Sequence, residues 1–233
     1  MNMPTRELFL AVAICALPNS ANAAPLSVVK VVAPEINCVF ETDCTVTVTD
    51  TVGDIKHPGA TGVGKLQTRT FKGQKGAPAA KMTAYEYRLD MSGATALGDS
   101  ACITALAVEF GPVVLLQYNK TGPTDAVFVV TKGGTGTIGL LSADQNGNVI
   151  TFTFSQPVCA ADAIGPGNSS FFFGLTSKGE PKVTPQAWTY RGLVCARWVH
   201  ARHCHSRTRA RGRQRLLSSG GPGKSSEVWP VSQ

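Results

Sequence analysis

The sequence predicts an all-β protein, an antiparallel β-sandwich of jelly-roll or immunoglobulin-like topology, on three observations. Apolar and polar residues alternate with a period of two through a series of short runs. Gly, Pro, Asn and Asp bound those runs, and no stretch carries a convincing helical period. Turn spacing leaves strand order open, so both topologies stand.

Residues 1–23 have the layout of a secretory signal peptide. Arg6 precedes the apolar run Leu8–Leu17, and Ala21-Asn22-Ala23 offers small residues for cleavage before Ala24. The run is too short to cross a bilayer. Cys15 is not read as a lipid anchor, because Ile14 stands where a small residue is needed. The mature chain is expected outside the cytoplasm, secreted or periplasmic, with no membrane-spanning segment.

Residues 24–185 read as one domain of short strands. Leu26–Ala33 is valine-rich and stops at Pro34; Cys44–Asp50 sets Val46 and Val48 on one face against Thr45, Thr47 and Thr49. Residues 53–64 read as loop. Lys65–Phe71 and Thr83–Asp90 resume the alternation, the second with Tyr85, Tyr87 and Leu89 against Glu86, Arg88 and Asp90, whose carboxylates read as a solvated face. Ala101–Phe110 suits a helix or a strand by pattern, and Gly111-Pro112 with β-branched neighbours favours the strand. Val113–Tyr118, Ala126–Thr131, Thr137–Leu141, Val149–Phe154 and Ser169–Leu175 follow. The best-defined unit is residues 144–159, where Asn146-Gly147 makes a hairpin turn, Val149–Phe154 alternates, and Pro157 ends the ladder.

Four cysteines fall in this domain, an even number in an exported chain, and the simplest pairing is Cys38 with Cys44 and Cys102 with Cys159. The second bridge is expected to pin a strand end to another sheet.

Several motifs fail on context. Gly59, Gly64 and Lys65 match a phosphate loop, but Leu66 replaces the magnesium-binding Ser/Thr and a strand pattern follows where a helix is needed. Gly134, Gly136 and Gly139 satisfy GxGxxG without a following helix. In Asp144–Asn148 the glycine falls at the fourth position of a calcium loop, not the sixth. No nucleotide, cofactor or metal is expected. His57, the only histidine of the domain, has no nucleophile pattern beside it. Two of Glu86, Asp90, Glu109 and Asp125 would have to converge to hydrolyse a glycoside, which spacing alone does not show. Asn119-Lys120-Thr121 and Asn168-Ser169-Ser170 are glycosylation sequons.

Composition changes after Lys182. Residues 24–185 carry 12 Lys+Arg against 13 Asp+Glu, whereas residues 186–233 carry 9 against 1, so the formal charge of +7 belongs to the tail. Cys195, His200, His203, Cys204 and His205 match no structural zinc spacing. The segment reads as an Arg-rich tail of low order, the translation of a shifted frame, with Trp188 and Tyr190 alone extending a last strand.

Three functional expectations follow. The first is an exported, non-catalytic module that binds a glycan or another surface component, or serves structurally. The second is a secreted hydrolase using a carboxylate pair. The third is an anion-binding protein acting through the Arg-rich tail, with export keeping it from nucleic acid.

Overall fold

The computed structural model describes residues 23–97, 100–163 and 165–178, together with the backbone of 186–198 and 201–214. Of residues 1–23, read as a signal peptide, all but Ala23 lie outside the described residues. The protein is all-β. In chain order the strands are β1 (Ala24–Leu26), β2 (Val28–Val32), β3 (Thr49–Ile55), β4 (Ala60–Gly62), β5 (Gly64–Lys72), β6 (Met82–Asp90) and β7 (Ala94–Ala96). They continue with β8 (Ser100–Glu109), β9 (Val127–Lys132), β10 (Leu140–Asn146), β11 (Val149–Cys159), β12 (Phe173–Lys178), β13 (Gln186–Trp198) and β14 (Ala201–Gln214). One 3-10 helix, Glu35–Val39, follows β2.

The first sheet runs β1-β10-β11-β8-β13-β14 and the second β2-β9-β12-β6-β5-β3, with β4 and β7 as a separate pair. Every pairing is antiparallel except β2 with β9. The two large sheets share a core. Leu66, Tyr87, Leu89, Val129, Phe173 and Leu175 from the second meet Ile103, Leu106, Ile150, Phe152 and Phe154 from the first. Phe152 and Phe173 rings lie 4.9 Å apart, and Tyr87 stands 6.0 Å from Phe152. Such pairs add packing specificity beyond the apolar area they bury.

The second sheet is also covered on its outer face, which the alternation did not reveal. Ile36, Val39 and Phe40 of the helical segment, with Val46 and Val48, pack on Phe71, Ala84, Phe128, Val130 and Phe172. Both faces of β6 are therefore buried, and Glu86 is 4% exposed where a solvated residue was expected.

The hairpin at residues 146–149 forms with Asn146 opposite Val149, and Gly147 takes the positive φ of 56° that the tight turn requires. Pro157 does not end its strand. β11 continues to Cys159, and its register with β8 steps between Thr153 and Val158, so the missing proline N–H falls where the ladder is already interrupted. The strand expected at Cys44–Asp50 begins only at Thr49, although Val46 and Val48 are buried as their alternation implied. Residues 53–64, read as loop, hold the end of β3 and all of β4. Val113–Tyr118 makes single bridges at Val114 and Leu116 rather than a strand. Ala101–Phe110 is a strand, β8, as favoured.

Disulfides join Cys38 to Cys44 and Cys102 to Cys159, the pairs read from the sequence. Cys102 and Cys159 stand opposite each other on β8 and β11, so this bridge ties neighbours within one sheet and does not cross to the other.

Over 186–233 the sequence pattern implied little order. Within that segment the backbone of 186–198 and 201–214 traces a hairpin that joins the first sheet along β8. Trp188 lies opposite Val108 and Tyr190 opposite Leu106, the strand extension anticipated for these two. The strand runs further than they do because main-chain pairing along β8 needs no side-chain period. Residues 179–185, 199–200 and 215–233 lie outside the described residues, and so does His200.

Candidate functional site

Two groups of chemistry-bearing residues, a closed charge row and an open groove, lie on the outer side of the second sheet. The row follows from register. Asp50 on β3 stands opposite Arg69 on β5, Arg69 opposite Glu86 on β6, and Glu86 opposite Gly174 on β12. Arg69 donates its Nε–H to Asp50 Oδ1 at 3.0 Å, and its guanidinium lies 4.2 Å from the centre of the Phe172 ring. One residue pair along, Arg88 bonds Asp90 at 2.9 Å. The Arg88 Nε is buried with no hydrogen-bond partner among the described residues.

Gly174 makes the row possible. A Cβ there would stand 2.7 Å from the Phe128 ring, 2.6 Å from the Tyr85 carbonyl oxygen and 3.1 Å from Glu86 Cγ. Its absence lets Phe128 close over the sheet beside Glu86. Burial pushes the Glu86 carboxyl up to about 7, against the opposing pull of Arg69, with Asp50 adding to the rise. For Asp90, burial pushes upward but is outweighed by the Ser92 hydrogen bonds and by Arg88, and the carboxyl is held below its ordinary range.

The carboxylates considered for hydrolysis are not gathered. Glu86 and Asp90 share a face of β6 four residues apart, about 13 Å along a strand, beyond the separation of either glycosidase geometry. Glu109 ends β8 in the other sheet, and Asp125 bridges Leu116. His57 is 4% exposed, with its Nδ1 accepting the Gly59 N–H at 3.1 Å and a further hydrogen bond to the Cys102 backbone. Desolvation lowers its pKa against the Cys102 hydrogen bond, and the ring fastens a loop to β8. Lys65, the phosphate-loop lysine, pairs with Asp54. Asp144 accepts the Ser142 hydroxyl at 3.1 Å. Among the described residues no three His, Cys, Asp or Glu converge as a metal site.

The open feature is a cavity of about 660 Å³ between the helical segment and residues 117–121. Leu116 and Asp125 exchange N–H···O bonds at 3.0 and 2.9 Å, closing residues 117–124 into a tongue. Tyr118 anchors it. The phenol oxygen lies 2.8 Å from Thr176 Oγ1, the ring packs 4.8 Å from Phe128, and burial pushes the phenol pKa up. Gln117 is committed to the tongue through a 2.8 Å bond to the Gly122 carbonyl. Asn119 and Lys120 are exposed on the rim opposite Glu35, above a floor of Val31, Ile36 and Val39. The Cys38–Cys44 bridge braces the helical wall.

Sequence reasoning placed no site here. Asn119-Lys120 before Gly122-Pro123 signals an exposed turn, but about eighty residues separate it from Glu35, and no local pattern shows that they meet. No family model, curated protein or solved structure matches this chain.

Proposed function

We propose that the protein is an exported, non-catalytic β-sandwich that binds a surface partner, a glycan or comparable polar surface component, in the groove between the helical segment and the 117–124 tongue. The groove carries this reading. Its volume lies in the range of small-ligand sites, its floor is apolar, and a few polar side chains of both charges stand on its rim. Both walls are braced, one by a disulfide and the other by Tyr118 and the Leu116–Asp125 bridge, so binding orders little chain. Two facing sheets over a common core support the sandwich. Export is supported by two disulfides and by a first strand that begins at Ala24, directly after the signal-like leader. No helix among the described residues is long and apolar enough to cross a membrane.

The test is a glycan and surface-polymer panel, followed by calorimetric titration of each hit against wild type, Asn119→Ala and Lys120→Ala. Loss of binding with an unchanged melting temperature is the expected result. A hit whose affinity neither substitution alters would place recognition elsewhere and overturn the assignment.

A further inference from the structure

Strand β8 differs from the strands that end the second sheet. β2 exposes Lys30 and steps in register against β9 between Val31 and Val32; β3 carries Asp50 and Asp54. Charges and register steps are the usual means of keeping a sheet edge from recruiting another chain. β8 has no proline and, from Ala101 to Val108, no charge; Ala101, Cys102, Ile103, Ala105, Leu106 and Val108 are buried. It is built to be paired on both sides.

On one side lies β11. On the other, β13 pairs from Trp188 opposite Val108 to Cys195 opposite Ser100. Both ladders step at the same residue. β13 passes Thr104 between Arg191 and Gly192, and β11 passes it between Thr153 and Val158. On β13 no residue stands against Thr104, whereas on β11 residues 154–157 span the same step, so the β13 ladder alone takes its step from β8. Beyond Trp188-Thr189-Tyr190-Arg191 the filling segment keeps no alternation, while its pairing continues to Cys195, so main-chain groups specify the rest of its place.

We propose that the β8 edge is a binding site for an extended peptide strand, that its ligand is the chain's own segment Gln186–Trp198, and that this segment is exchangeable in trans. Recognition runs through the β8 main chain in antiparallel register, in two runs on either side of Thr104.

The experiment uses the full oxidised chain with a site-specific protease sequence replacing residues 179–185. After cleavage of the folded protein, fragment 186–233 should co-elute with the body on size exclusion. An excess of labelled synthetic peptide 186–198 should then displace it, while the amides of Ala101–Val108 stay protected from hydrogen exchange. The same peptide, N-methylated at the alternate residues whose N–H groups face β8, should bind at least tenfold more weakly; methylation in the other phase should not weaken its contact with β8. Free separation of the fragment with β8 still protected would overturn the proposal, as would equal binding of both methylated peptides. Should the altered linker prevent folding, hydrogen exchange on the unmodified chain decides. Shared, cooperative protection of 101–108 and 186–198 supports the site; fast exchange of 186–198 beside a slow β8 refutes it.

Discussion

Replacing Glu86 by glutamine removes one ionisable group and keeps the shape of a side chain that is 4% exposed. The folded-state pKa of about 7 lies above the ordinary 4.5 because burial disfavours the charged form. The folded protein therefore holds this proton more tightly than the unfolded chain does. The stabilisation that results is fully present below pH 4.5 and is lost as pH rises through 7. A difference of roughly 2.5 pH units at 1.36 kcal/mol each is worth about 3 kcal/mol. For a domain of this size that is on the order of 6–12 °C in melting temperature. His57 acts with the opposite sign in an overlapping window, since its lowered pKa costs stability as pH falls below 6.5, but it is common to both proteins and cancels in the difference. Asp90, held below 3.8, acts at lower pH. Urea unfolding of wild type and Glu86→Gln from pH 4 to 9 should thus give a difference that favours the variant increasingly between pH 4.5 and 7 and is level beyond about pH 8. Parallel curves would refute the argument, because they would mean that Glu86 ionises alike in both states.

Three further outcomes follow from the packing. Gly174→Ala should destabilise by roughly 1–3 kcal/mol through overpacking against Phe128 and the Tyr85 carbonyl, read as a lower urea midpoint at unchanged slope. Cys102→Ala with Cys159→Ala opens a loop with a sequence separation of 57 and should cost about 4 kcal/mol by chain entropy; a loss under 1 kcal/mol would contradict that account. Cys195 stands opposite Cys204 in the β13–β14 register, at a Cα spacing that antiparallel pairs share with disulfides. Non-reducing peptide mapping of full-length protein purified under oxidising conditions should therefore recover a third bridge, Cys195–Cys204, and two free thiols there would show that the hairpin register is different.

Local pattern was enough for several strands and for the turn that joins two others. Lys65–Phe71, Thr83–Asp90 and Ala126–Thr131 fall within or nearly within β5, β6 and β9, because alternation and flanking turn residues are properties of a few neighbouring residues. Cysteine parity likewise pointed to the two bridges. Long-range matters were not written in any window. The second layer over the outer face turned Glu86 from a solvated residue into a buried one with a perturbed carboxyl, and that layer comes from residues 36–48, about forty positions away. The groove needs Glu35 and Lys120 on one rim, which depends on β2 pairing in parallel with β9. The pairing of 186–198 along β8 is a long-range matter of the same kind. Composition describes what side chains favour, whereas an apolar strand with an open edge offers hydrogen-bond partners to any main chain that reaches it. The pairing along β8 is therefore set by tertiary placement of that edge, not by the period of the segment that fills it.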